Sequence, residues 1–472
     1  MEKIKFGTDG WRGVIADDFT FANVVKVAQA IADYYKTQPD REKGLVVGYD
    51  TRFLSFKFAR AIAEVLIGNN LPVLLSQSDV PTQCISFTVK EEKLPGGVMI
   101  TASHNPPEFN GIKIKGNFGG SATPKITNQI ESFLNKSEIK KINWEKGIRR
   151  GLARKEDLLP PYLDKVKAFL DWDILATAQL KIIYDPMFGV GYGLIKRLLR
   201  ESKCQVITIH PKYNPGFGGI NPEPIEENLK DLKEKVLCEG ADLGIATDGD
   251  ADRLGLVDDK GRYLTPHQVF SLLLLYLVEE RKMEGGVAKA VSLGYQPERI
   301  ARKYRLPLDQ TPVGFKYICD KMLTGKVFFG GEESGGYGYK EHLPERDGLL
   351  SSLLFVEMVT KKGKPLSYIL NEMERKFGKS FFKRVDFQRR GIEKEEMVEK
   401  LSSSLPSSLG GVPLREVITI DGLKYIMEDE SWLLIRPSGT EPKVRVYAEA
   451  PKKNQLDRII QEGVRMAQSV DV

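Results

Sequence analysis

The sequence predicts an α/β fold, and three observations lead there. Short β-branched runs alternate with segments of helical period. Nearly every run stops abruptly in a polar or glycine-rich turn. The 472 residues exceed what one compact core accommodates, so three or four units are expected. Strands alternating with helices imply largely parallel or mixed sheets.

Taken in chain order, residues 45–49 run into Asp50-Thr51-Arg52, and 98–101 into Ser103-His104-Asn105. Residues 181–184 lead to Asp185, and 243–246 to Thr247-Asp248-Gly249-Asp250. Residues 327–329 enter a glycine-rich turn, and 432–435 enter Arg436-Pro437-Ser438. Helical periodicity marks 22–35, 58–68 and 267–280. In open α/β sheets ligands collect at the carboxyl ends of strands, where these polar clusters fall. The charged stretch 136–155 reads as a first linker, and Asp258-Asp259-Lys260-Gly261-Arg262 as a turn near a second boundary. Residues 361–365 and the Ser-rich 402–408 bracket the approach to a smaller C-terminal unit, the latter with room for a hinge. The expected domains are 1–150, 151–260, 261–370 and 371–472.

Composition narrows the function. Hydrophobic residues make up 41% and charged residues 28%, as in an ordinary globular protein. A net charge of +6 on 70 basic and 64 acidic residues, without a dense basic block, argues against nucleic acid. The N-terminus lacks an apolar signal segment, and the most apolar stretch, 270–278, is too short to span a bilayer. The cytoplasm is therefore the expected compartment, with no membrane partner. Cys84, Cys204, Cys238 and Cys319 show no metal or redox spacing and read as reduced, buried thiols.

The chemistry concentrates in four loops. Asp248, Asp250 and Asp252 alternate after an apolar strand, so their carboxylates can converge on one point. Three anions so close require a cation, and hard oxygen ligands suit Mg²⁺; the alternative is an acidic surface turn. Ser103 follows another apolar strand with His104 beside it and Lys113 ten residues on, which alone is also an ordinary serine turn. Arg436 to Pro442 offers a guanidinium, two hydroxyls and a glycine-freed backbone, with Arg445 beyond, a composition that suits phosphate or else a Pro/Gly turn. Glu332 and Ser334 lie among glycines, as sugar hydroxyls or a plain flexible turn would both allow. Three lookalikes fail. Gly189-Val190-Gly191 lacks the third glycine of a dinucleotide fingerprint, Gly378-Lys379-Ser380 lacks the first glycine of a P-loop, and the histidines lack HExxH spacing. His210 and His267 read as structural.

Together these motifs resemble the α-D-phosphohexomutase family, which includes phosphoglucomutase and phosphomannomutase. The matching segments are Phe6-Gly7-Thr8-Asp9-Gly10-Trp11-Arg12-Gly13, then 101–106, 248–253, 331–335 and 436–442, in the family's order across nearly the whole chain. The resemblance implies four domains around a central cleft, three similar α/β units and a smaller C-terminal α+β domain. It makes Ser103 the phosphoserine, which binds Mg²⁺ together with Asp248, Asp250 and Asp252. Arg253 lies near that phosphate, and Lys113, His104 and Arg12 handle protons and charge. Glu332 and Ser334, with Lys316, His342 and Arg346, face the sugar. Arg436, Ser438, Gly439, Thr440 and Arg445 hold the phosphate that is not reacting. The implied activity interconverts hexose 1-phosphate and 6-phosphate through a glucose 1,6-bisphosphate type intermediate, with glucose favoured over mannose.

The sequence departs from the family pattern at two places. Gly336 stands where many phosphomannomutase-like members carry His, and Arg346 where some phosphoglucomutases carry Lys. Arg is a poor general acid, so His342 becomes the candidate for the second proton transfer. Val80-Pro81-Thr82-Gln83 lacks a second proline and reads as structural. A phosphatase would use the same serine and metal but needs no grip on both ends of the substrate. A non-catalytic sugar-phosphate sensor needs no intact Ser103 or aspartate triad, and both are present.

Overall fold

The computed structural model describes residues 4–7, 9–388, 394–437 and 443–470. Its first three sheets repeat one plan. In each, the first parallel strand is central, the second and third flank it, and the third turns back into an antiparallel fourth. In the first sheet Leu45–Tyr49 lies between Val73–Ser76 and Gly96–Ile100, and Phe109–Gly116 returns along the latter. In the second, Lys181–Asp185 lies between Gln205–Thr208 and Leu243–Thr247, and Leu254–Asp258 returns. In the third, Gly286–Ala290 lies between Leu308–Thr311 and Val327–Gly331, and Tyr337–Tyr339 returns. The parallel strands Leu45–Tyr49 and Leu243–Thr247 are buried throughout, which is why they read as apolar runs.

The fourth sheet is wholly antiparallel, in the order Phe381–Gln388, Lys443–Ala450, Trp432–Pro437, Leu423–Met427, Val412–Ile418, Ser408–Leu409. One face is covered by the helix Lys453–Ser469, through Leu456, Ile459 and Ile460. The opposite face packs Trp432, Leu434 and Tyr447 against Val291 and Tyr295 of the third unit. The repeated plan therefore puts three strand-to-antiparallel-strand connections in equivalent places. They are residues 101–108, 248–253 and 332–336.

The expected boundaries each fall short of their sheet or helix. Ala153–Glu156 pairs with Val73–Ser76 and completes the first sheet past residue 150. Its Arg154, Lys155 and Glu156 are exposed, so an edge strand looked like a linker. The turn at 258–262 closes a hairpin with Tyr263–Leu264 inside the second sheet, and the helix Leu366–Phe377 spans residue 370. The Ser-rich stretch lies within the C-terminal unit, between the helix Lys394–Ser402 and the strand Ser408–Leu409. The chain instead crosses from third to fourth unit at Gly378, whose φ is +87°. All four cysteines are free, but only Cys84 and Cys319 are buried, and Cys238 is exposed. Among the described residues no helix is long and apolar enough to cross a membrane.

Candidate active site

Ser103 sits in the first of these connections, fully buried and held at φ +53°, a conformation that costs a non-glycine residue about 1–3 kcal/mol. That strain is sustained by Arg52, whose guanidinium donates to the carbonyls of Ser103 (2.7 Å), Asn105 (2.6 Å), Pro106 (2.8 Å) and Phe109 (3.0 Å). Asp50 pairs with Arg52 at 3.3 Å, so the whole serine turn hangs from one buried ion pair. The Ser103 hydroxyl donates to Asp248 Oδ2 at 2.8 Å, and His104 Nδ1 lies 3.5 Å from the same hydroxyl oxygen. Burial, with Arg253, Arg12 and Lys113 nearby, depresses the His104 imidazole well below its ordinary range, so it is neutral. Arg12 reaches the same turn by donating to Asn105 Oδ1.

The aspartates converge as expected, though not by strand alternation. They lie on a tight turn with Ala251 at φ +60°, closed by Asp248 Oδ1, which accepts from the backbone N–H of Asp252 (3.0 Å) and Arg253 (3.1 Å). Gly249 lets this turn approach the serine, because a Cβ there would sit 2.5 Å from the Ser103 carbonyl oxygen. Among the described residues, only Asp248, Asp250 and Asp252 bring three such ligand atoms within 4.8 Å of one another. Asp250 Oδ1 and Asp252 Oδ1 are buried without a hydrogen-bond partner. Burial and the neighbouring Asp250 and Asp252 push the Asp248 carboxyl well above its usual range. Orphaned buried carboxylate oxygens that repel one another fit a hard divalent cation.

Thr82, assigned only a structural role from the sequence, supports this turn: its hydroxyl donates to Asp250 Oδ2, and its backbone N–H donates to the Asp250 carbonyl at 3.2 Å. Lys113 Nζ contacts Asp250 (2.8 Å), Asp9 (2.9 Å) and Asp252 (3.1 Å). Burial alone would lower its pKa, but the three carboxylates outweigh burial and keep it protonated. Arg253 Nε stands 3.9 Å from both Asp248 and Asp252.

In the third connection Glu332 accepts from the Gly314 backbone N–H at 2.7 Å, and burial raises its carboxyl to about 7 against the pull of Arg346. Ser334 Oγ is buried and unpartnered. Lys316 is half-buried at the start of the helix Phe315–Leu323, where burial lowers its pKa against the attraction of Asp9. Arg346 reaches Asp9 and contacts Asp252 at 2.8 Å. Asp252 and Asp9 overcome the burial cost and lock Arg346 in its charged form. A Cβ on Gly336 would lie 2.2 Å from Arg346 Cδ, so the missing side chain at 336 is what admits the arginine.

His342 does not join the site. It is fully buried beside Phe169 and Tyr162, and its Nε2 lies 2.8 Å from Asp347 Oδ2, which also accepts from the Tyr162 hydroxyl. Asp347 caps the helix Gly348–Lys362, so His342 fixes a helix start instead of meeting a sugar. Arg436 and Arg445 are cross-strand partners, paired with Asp421 (2.7 Å) and Asp386 (3.7 Å). Ser438, Gly439 and Thr440 lie outside the described residues. Arg52 and Asp9 were not assigned roles from the sequence. The signal available for Arg52 was its position at a strand end, as in the other polar clusters.

Four family models match in succession along the chain. They describe phosphoglucomutase/phosphomannomutase α/β/α domain I at 3–141, domain II at 160–261, domain III at 265–377 and the C-terminal domain at 384–465. The chain belongs to the phosphoglucomutase/phosphomannomutase family. Its enzymes are phosphohexomutases, isomerases that move a phosphoryl group within a sugar, and this chain is one of them. A phosphoglucomutase/phosphomannomutase of Thermococcus kodakarensis is 29% identical over 463 residues, 98% of each chain. A phosphoglucosamine/phosphogalactosamine mutase of Sulfurisphaera tokodaii is 30% identical over 97% of each. A crystal structure from Thermus thermophilus, provisionally named a phosphomannomutase, superposes with a TM-score of 0.87 at 35% identity, covering 99% of this chain and 100% of that one. The three α/β units and smaller C-terminal unit of this phosphohexomutase match the architecture expected of the family.

Proposed function

We propose that this phosphohexomutase interconverts hexose 1-phosphate and hexose 6-phosphate with Ser103 as its phosphoryl carrier, Mg²⁺ as its metal and glucose as its preferred sugar. The observation that carries the reading is the Ser103 hydroxyl hydrogen-bonded at 2.8 Å to one of three clustered aspartates. Ser103, Asp248, Asp250 and Asp252 would hold the ion, which supplies charge neutralisation for phosphoryl transfer.

In the first transfer the bond from phosphorus to Ser103 Oγ breaks as one forms to the free hydroxyl of the hexose monophosphate. That hydroxyl's proton leaves to a base, and neutral His104 is the base nearest Ser103 Oγ. Lys113, Arg12 and Arg253 are cations here and steady the phosphoryl oxygens; Lys113 in its protonated form is no base. The resulting bisphosphate reverses its orientation and returns its other phosphate to Ser103. Glu332 and the unpartnered Ser334 hydroxyl suit sugar hydroxyls, and Arg436 and Arg445 suit the idle phosphate. With His342 buried elsewhere and Arg346 permanently charged, Glu332, poised near 7, takes over the sugar-side proton role expected of His342.

Glucosamine is the second reading, because several relatives at 30–31% identity are named phosphoglucosamine mutases. Against it, Glu333 stands where such enzymes usually carry Gln, and its carboxylate accepts from the Ser292 hydroxyl. Steady-state kinetics on glucose, mannose and glucosamine 1-phosphates test the choice. Glucose 1-phosphate is expected to give the highest kcat/KM, with mannose 1-phosphate slower by about fivefold, the value of one hydroxyl contact. A clear preference for either competitor overturns the glucose assignment.

A further inference from the structure

The face of the C-terminal sheet turned toward the third unit changes character along its strands. Strand register puts Phe382, Glu449 and Trp432 in one row, Arg384, Tyr447 and Leu434 in the next, and Asp386, Arg445 and Arg436 in a third. Cross-strand partners share a face, so all three rows look the same way. The first row docks on the third unit, where Phe382 stacks on His267 at 4.1 Å. In the second row Leu434 and the Tyr447 ring still pack against Val291 and Tyr295, while Arg384 lies at its outer end, and the third row is charged: Asp386, Arg445 and Arg436.

Two features of these rows call for a ligand. The Tyr447 ring is fully buried, yet its hydroxyl has no hydrogen-bond partner among the described residues. A buried hydroxyl left unpaired is costly, and an acceptor that arrives with substrate would relieve it. Beside it, Arg384 grips Asp386 with Nε and Nη2, both at 2.8 Å, and its guanidinium carbon lies 6.0 Å from the Tyr447 ring centre. Asp386 is shared, since Arg445 Nε is 3.7 Å from the same carboxylate. Asp386 occupies Nε and Nη2 of Arg384, which leaves Arg384 Nη1 to donate to an oxygen of an anion. Glu333 of the sugar loop acts electrostatically on Tyr447, and Glu223 of the second unit on Arg384.

We propose that Arg384 and the Tyr447 hydroxyl bind the non-reacting phosphate of the hexose phosphate from the sheet side, alongside Arg436 and Arg445. This rests on the mutase reading above. The phosphate is then held by strand residues set in register. Substrate binding and docking of the C-terminal sheet share one rigid face.

Calorimetric titration of glucose 6-phosphate into the wild type, Arg384→Gln and Tyr447→Phe tests the proposal, with melting curves to establish that each variant is folded. Arg384→Gln is expected to raise Kd about tenfold and Tyr447→Phe about threefold to fivefold. Arg384→Lys is expected to fall between wild type and the glutamine variant, because a point charge cannot form the fork. If Arg384→Gln fails to fold, the near-isosteric Tyr447→Phe carries the test. Kd values within about twofold of wild type in the folded variants overturn the proposal. Wild-type protein that isomerises hexose phosphate while the variants bind normally overturns this proposal alone. Wild-type protein that neither binds nor isomerises hexose phosphate overturns the mutase reading with it.

Discussion

Arg52 is a wholly buried guanidinium whose hydrogen bonds all go to the segment that carries Ser103, and it forms an ion pair with Asp50 beside it. Replacing it with methionine would leave Asp50 buried without its charge partner and strip four carbonyls of a donor. Breaking a buried pair from one side costs about 3–5 kcal/mol, so Arg52→Met should lower the urea unfolding free energy by that amount. It should also depress kcat, because the positive φ of Ser103 loses its support. A stability change under about 1 kcal/mol, with normal turnover, would show that the serine turn holds itself. The same scale explains the family departure at 336. The arginine at 346 and the glycine at 336 occupy one volume, so they are expected to change together in any engineered swap.

The docking face of the C-terminal sheet is an element with its own titration. Lys424 Nζ is buried, lies 4.2 Å over Trp432 and donates to the Val291 carbonyl at 2.6 Å. Burial, then repulsion from Lys289, brings its pKa down to about 7, against the attraction of Glu298 and Glu449. The unfolded chain keeps the ordinary lysine value of about 10.4. Between those two values the unfolded state therefore binds more protons than the folded one, and stability rises with pH. His267, depressed well below its ordinary range by burial, stays neutral throughout this window. Urea midpoints of wild type and Lys424→Met, followed from about pH 7 to 10, should diverge in favour of the wild type as pH rises. A gap that stays constant or narrows would contradict a depressed Lys424.

At the scale of the whole molecule, the α/β class and three of the chemical loops were legible because buried parallel strands leave unbroken apolar runs that stop at polar turns. The aspartate triad could be read from spacing, although a turn and not a strand brings the carboxylates together. Partners distant in sequence were not legible. Arg52 acts on carbonyls more than fifty residues away, and Thr82 on Asp250 across two units. His342 looked free because its partners Asp347 and Tyr162 meet it only in the folded state. Arg384 was hidden because nothing local marks a strand arginine as facing a cleft. The edge strand Ala153–Glu156 was misread as a linker because exposed strands and linkers share a composition, and the Ser-rich 402–408 is a connection inside the C-terminal unit and not on the approach to it. Phosphorus NMR of wild-type protein with glucose 1-phosphate, Mg²⁺ and a trace of glucose 1,6-bisphosphate puts the assembled site to the test. The glucose 1-phosphate resonance should give way to glucose 6-phosphate with no inorganic phosphate, and Ser103→Ala should abolish the change. Release of inorganic phosphate, or undiminished conversion by Ser103→Ala, would contradict a phosphoserine mutase.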